Sequence, residues 1–200
     1  MSEISAGAVR ALRDKTGAGM MDCKKALAET AGDLEKAVDY LRTKGLAGAA
    51  KKSGRATQEG VIFAYIHPGS RVGVLLEVNC ESDFVARTAD FTELCKDLAM
   101  QVAATSPVAL RREDFDPALL ERESVIFRTQ AGESGKPPQI VEKMVQGRLE
   151  KLYKERVLLE QPFVKDPDTS VEDRIKSAIA KLGENINLRR FVRYQLGEEA

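Results

Sequence analysis

An α+β fold is what this 200-residue sequence predicts: a compact three-helix unit followed by a core of three antiparallel strands with helices on a face. Three observations point to it. Short apolar stripes of helical period, separated by glycines, fill residues 4–44; two β-branched runs flank a Pro-Gly turn at Pro68-Gly69; and an alternating run follows several further helical patterns near the C-terminus.

In chain order, Gly17, Gly32 and Gly45 stand where helix ends favour glycine, which divides the first segment into three helices. The third is the clearest. Asp33 is placed to cap it, and Leu34, Ala37, Val38 and Leu41 recur at i, i+3, i+4 and i+7. Residues 46–59 are small, polar and basic after Leu46, and read as a linker or a weak helix. The expected organisation is therefore a module over 1–46, a linker over 47–59 and a core over 60–200.

Residues 61–66 and 72–78 flank His67-Pro68-Gly69-Ser70, and Val72, Val74, Leu76 and Val78 alternate strictly, as in a hairpin. From Thr88 the period becomes helical, with Phe91, Leu94, Cys95, Leu98, Ala99 and Val102 on one face and Pro107 beyond the end. Two more helices are expected over 117–131 and 138–154, the second opening on a proline whose missing N–H is harmless there. Val171, Ile175, Ala178, Ile179 and Leu182 make another apolar face, with Ser170 and Asp173 as a capping pair and Gly183 as the stop. Over 186–196, Leu188, Val192, Tyr194 and Leu196 alternate with Arg189, Phe191, Arg193 and Gln195, apart from Arg190. That pattern puts Phe191 on the less buried face. A three-stranded sheet keeps two open edges, and with Phe191 on that face a noncovalent homodimer built around this C-terminal strand is expected.

Composition narrows the function. With 43% hydrophobic, 31% charged and 6% aromatic residues the chain is too apolar for disorder and too polar for a membrane protein. No window approaches the roughly 20 apolar residues that span a bilayer, and no export signal opens the chain. Cys23, Cys80 and Cys95 are odd in number and form no CxxC pair, which fits a reducing cytoplasm. Residues 1–55 carry 11 basic against 7 acidic groups and the rest 20 against 24, an asymmetry too mild for a nucleic-acid footprint.

A search for chemistry finds little. His67 is the single histidine and lies in a turn, so no metal site or proton relay can be built around it. Thr16-Gly17-Ala18-Gly19 lacks the GKS/T ending of a phosphate loop and follows a helix, so it reads as a helix-helix turn. Glu77, Glu81 and Asp83 are close in sequence but show no environment that would separate their pKa values. Lys51, Lys52 and Arg55 lack interleaved aromatics and read as a solvated basic stretch. Two places break local rules. Met20 and Met21 open a helix beside glycines; packing within the three-helix unit is favoured, and an exposed partner patch is the rival. Phe84 and Val85 occupy a short strand-to-helix connection; Phe84 folding into the core is favoured, and a rigidly mounted interface anchor is the rival.

The stretch Leu12-Arg13-Asp14-Lys15-Thr16-Gly17-Ala18-Gly19-Met20-Met21-Asp22-Cys23-Lys24-Lys25-Ala26-Leu27 resembles the N-terminal signature of the translation elongation factor Ts family. Glu77-Val78-Asn79-Cys80-Glu81-Ser82-Asp83-Phe84-Val85 resembles its second signature, and Gly147-Arg148-Leu149, Gln161-Pro162-Phe163-Val164 and Gly183-Glu184-Asn185-Ile186 follow in the family's order. Ser82 stands where the family usually has threonine, which keeps the hydroxyl and loses β-branching. The resemblance implies a ubiquitin-associated-like N-terminal module and a single, short-form core. It implies a guanine-nucleotide exchange factor for elongation factor Tu with no catalytic residues, cofactor, metal, nucleic acid or membrane of its own. Ser82, Asp83, Phe84 and Val85 would dislodge Mg²⁺ from the GTPase, and Met20, Met21 and Lys24 would be the module's contacts with it. A plain adaptor is the rival from another class, and an RNA-binding ribosome accessory factor, argued from Lys51, Lys52 and Arg55, is a second.

Overall fold

The computed structural model describes residues 4–198. Helices α1 (Ala6–Thr16), α2 (Met20–Glu29) and α3 (Leu34–Lys52) come first, then strands β1 (Glu59–Ile66) and β2 (Val72–Cys80), a single turn α4 (Asp83–Ala86) and helix α5 (Ala89–Thr105). Helices α6 (Pro117–Gly132) and α7 (Pro138–Arg156), a short hairpin β3 (Pro162–Phe163) and β4 (Asp166–Ser170), helix α8 (Val171–Leu182) and strand β5 (Ile186–Gln195) complete it. The strands β1, β2 and β5 form an antiparallel sheet in that order, so the expected α+β class is found.

By its contacts the chain divides into two compact units. One holds the described part of Met1–Ile62 with Glu77–Cys95 and Asp173–Arg189. Its three N-terminal helices bury Val9, Leu12, Cys23, Ala26, Leu27 and Ala37 together. Ser5 caps α1 and Asp33 caps α3, the latter accepting from the amides of Glu35 and Lys36, both at 3.1 Å. Gly17 ends α1 with φ 66°, a left-handed conformation that lets its N–H return to the Arg13 carbonyl, so Thr16–Gly19 is a helix-helix turn.

One expectation changes here. Gly45 does not end α3, which continues through Lys52, so the small-residue stretch takes the helical one of its two readings. The glycine is explained by proximity, since a Cβ there would lie 3.1 Å from the Cβ of Ala180 on α8. Gly45 therefore lets α3 and α8 approach closely at this point, which local periodicity does not report.

The same unit buries Val78, Phe91, Leu94, Cys95, Ile175, Ala178, Ile179 and Leu188, which lie on the stripes that the strand and helix periods mark, together with Cys80, Ala86 and Ile186. Thr88 starts α5: its hydroxyl donates to the Val85 carbonyl at 2.8 Å and accepts from the Phe91 amide at 3.2 Å.

The other unit holds Phe63–Leu76, Lys96–Glu172 and the described part of Arg190–Ala200. Ala109, Phe115 and Val157 form its buried cluster at the base of α6 and α7. Gln101, fully buried on α5, donates to the side chain of Gln161 at 3.0 Å and accepts from the Val164 amide at 2.8 Å, which fixes the β3 end of the short hairpin. Sequence patterning gave no sign of this hairpin.

Strand β5 departs from its expected parity. Ile186 and Leu188 are buried, but Arg189 and Arg190 are both exposed and the alternation then inverts. Phe191 is half-buried and the Arg193 side chain only 11% exposed, with its guanidinium donating to the Ala103 carbonyl and paired with Glu198, whereas Val192, Tyr194 and Leu196 face outward. Placing Phe191 on the open face is thus corrected: Arg190 shifts which residues point inward, and Arg193 is accommodated because its charge is satisfied.

Candidate functional site

Strand β2 ends at Cys80, and three residues later the chain turns through α4. Ser82 is the N-cap of that turn; its hydroxyl accepts from the Val85 amide at 3.4 Å. Behind the cap lies a carboxylate. Glu184, in the connection between α8 and β5, accepts from the amides of Glu81 and Ser82 at 3.1 and 3.0 Å and from the Ser82 hydroxyl at 2.6 Å. Cys80 adds a contact from its thiol to the Ser82 carbonyl at 3.1 Å. Burial, and then the charge of Glu184, push that thiol up, while burial pushes Cys95 up to about 12, so both are held as neutral thiols at neutral pH. All three cysteines are free and buried.

The bonding is reciprocal. Glu81 accepts from the Asn185 amide at 2.6 Å, which is the first cause holding its carboxyl below the usual range, with Arg55 at 3.4 Å adding a smaller effect. The Asn185 side chain in turn donates to the carbonyls of Ser53 and Arg55, just past α3.

On this backing the four expected residues separate in character. Ser82 and Val85 are half-buried, Asp83 pairs with Arg87 one helical turn on at 2.8 Å, and Phe84 projects with 80% of its surface exposed. The expectation that Phe84 folds into the core is therefore corrected. Its neighbours show why: Ala86 takes the inward position of the single turn, and Phe84, two residues before it, falls on the opposite side, since only residues three or four apart share a helix face.

Met20 and Met21 are likewise outside the three-helix core, 43% and 76% exposed, because Cys23, Ala26 and Leu27 already fill the inward stripe of α2. Lys24 is exposed beside them, and Asp22 pairs with Lys44 at 2.7 Å. Both apolar exceptions to the local pattern are thus surface features. Of the other groups considered, Glu77 pairs with Arg189, and His67 accepts or donates with the Tyr65 hydroxyl at 3.1 Å in the hairpin turn. Among the described residues no group of three or more His, Cys, Asp or Glu side chains could hold a metal ion, and no helix is long and apolar enough to cross a membrane. What sequence reasoning missed is the role of Glu184 and Asn185 behind the turn.

The family model described as Elongation factor TS matches residues 49–198. Elongation factor Ts of Desulforamulus reducens is 60% identical over 198 residues, covering 99% of this chain and 91% of that protein. The corresponding proteins of Heliobacterium modesticaldum and Moorella thermoacetica are each 60% identical over 195 residues, 98% of this chain and 91% and 96% of their own lengths. With the signature segments in place and similarity along almost the whole length, this chain belongs to the elongation factor Ts family.

Proposed function

We propose that the chain is a cytoplasmic guanine-nucleotide exchange factor for elongation factor Tu, acting through contact alone. The observation that carries this reading is Phe84, a large apolar side chain 80% exposed on a turn braced from behind. Such a side chain gains most by entering a pocket on a partner. GTPases hold nucleotide through Mg²⁺ on the phosphates and through loop backbone groups, so a wedge made of Asp83 and Phe84, on the turn that Ser82 and Val85 complete, weakens the nucleotide by shifting those groups slightly. Coupling between two ligands is reciprocal, hence nucleotide weakens the factor by the same ratio, and incoming GTP can release it.

The exposed Met20 and Met21 with Lys24 support a second contact, made by the module at 1–46 and supplying affinity, with residues 47–59 joining it to the core at 60–200. Fluorescent GDP release from elongation factor Tu, followed with and without the chain, tests the reading. Marked acceleration is expected, with Met21→Asp raising the half-maximal concentration by about fivefold or more. An unchanged release rate with the folded wild-type chain removes the proposal.

The working species in this reading is a homodimer. Its support is the outer face of the sheet, where Ile66, Leu75, Val192, Tyr194 and Leu196 are all exposed, together with the open edge of β5. Light scattering is expected to give about twice the 22.0 kDa chain mass, unaffected by reductant. Tyr194, 69% exposed, is the position to charge, because Phe191 is half-buried and a charge there would test folding. Tyr194→Asp should yield monomer with native thermal stability, and a wild-type chain that scatters as a monomer at micromolar concentration ends the dimer proposal.

A further inference from the structure

We infer that Glu184 is a positioning residue for nucleotide exchange, holding from behind the turn that presents Asp83 and Phe84; this rests on the exchange reading above. Phe84 is 80% exposed, so packing does not set its direction. Direction must come from the backbone of α4, and that backbone is fixed through Ser82. The Ser82 hydroxyl has one proton, and it is given to Glu184 at 2.6 Å. Its lone pairs are then left to face the Val85 amide, which they accept at 3.4 Å as the N-cap of the turn. The same carboxylate takes the two successive amides of Glu81 and Ser82 at 3.1 and 3.0 Å. One side chain therefore fixes the end of the strand, the orientation of the cap hydroxyl and, through it, the start of α4.

Glu184 is itself held. The next residue, Asn185, is 5% exposed, and its amide donates to Glu81 at 2.6 Å while its side chain bonds to the carbonyls of Ser53 and Arg55 at 3.3 and 2.8 Å. The two connections are cross-tied, carboxylate to amide in both directions, and the tie continues to the residues after α3. A turn so fixed spends most of its time in the presenting conformation. Loosening it lowers the competent fraction, and the coupling to nucleotide falls by that fraction.

Geometry and charge can be separated. Glu184→Gln keeps the reach: its carbonyl oxygen can accept both amides and its NH₂ can donate to the hydroxyl, which still has a lone pair for Val85. Glu184→Asp keeps the charge but is one methylene too short to meet all three donors. With wild-type chain at saturation, the maximal rate of fluorescent GDP release is expected to fall about tenfold in Glu184→Asp and to stay within about threefold in Glu184→Gln. In the free chain, hydrogen exchange at the Ser82 and Val85 amides should quicken in Glu184→Asp alone. Should Glu184→Asp not fold, Ser82→Ala removes only the hydroxyl link and is expected to lower the maximal rate about fivefold. Wild-type release by Glu184→Asp or Ser82→Ala, or loss in Glu184→Gln equal to that in Glu184→Asp, overturns the inference. A wild-type chain that fails to speed release sinks the exchange reading itself.

Discussion

Replacing Phe84 by alanine is expected to lower the maximal rate of GDP release at least about thirtyfold, the effect of removing a hot-spot side chain worth about 2 kcal/mol, while leaving the fold intact. The second half follows from exposure: with 80% of Phe84 in solvent, truncation opens no cavity, and thermal stability should move by no more than about 0.5 kcal/mol. Binding should weaken less than exchange, because the contact proposed for the module would persist. Asp83→Asn belongs to the same test. Asp83 pairs with the exposed Arg87, an arrangement worth little by itself, so the carboxylate is available to a partner at small expense. Its loss is expected to slow exchange about fivefold with no change in melting temperature. Stopped-flow release kinetics alongside calorimetric affinities decide both; a Phe84→Ala chain that stimulates release like wild type removes the wedge.

The elements of this fold were readable where one face of a helix or strand meets one core. In α8, Val171, Ile175, Ala178 and Ile179 are buried as their spacing requires, and in β2 the alternation of Val74, Leu76 and Val78 is reproduced. Reading failed where a second constraint acts on the same residue. Gly45 looked like a helix stop because the neighbour that requires it, Ala180, lies far along the chain. In β5, Arg190 interrupts a pattern that nothing local shows to invert. At Met20, Met21 and Phe84 the rule that apolar side chains go inward gave the wrong preference, since their elements already had other residues in the inward positions. The backing of the turn was not legible at all as chemistry. Glu184 and Asn185 meet Glu81 and Ser82 across 102 to 104 residues, and a carboxylate that accepts backbone amides leaves no periodicity in the sequence. The family resemblance marked both segments without saying that they touch.

The turn also depends on the strand beside it, and this gives the largest expected effect on stability. Gly60 on β1 has φ 148°, a backbone region closed to side-chain-bearing residues, and a Cβ placed there would lie 2.2 Å from the Val78 carbonyl oxygen and 2.7 Å from the Asn79 Cα. Both obstacles are backbone, so no side-chain rotation relieves them. The strained conformation and the overlap each cost about 1–3 kcal/mol, and Gly60→Ala is expected to destabilise the chain by about 3–5 kcal/mol. Domains of this size commonly have only about 5–15 kcal/mol in total. Val78 and Asn79 lead directly into Cys80, Glu81 and Ser82, so displacing β2 also moves the amides that Glu184 holds. Exchange should therefore fall in whatever fraction remains folded. Gly48→Ala is the control: it lies within α3 with nothing within 4 Å of its added Cβ, and alanine's better helix propensity should raise stability by up to about 1 kcal/mol. Denaturant unfolding of the two variants is expected to move the midpoint in opposite directions. Equal midpoints for Gly60→Ala and wild type would mean that β1 does not approach β2 as closely as the structure has it, and the bracing of the turn would lose its nearest support.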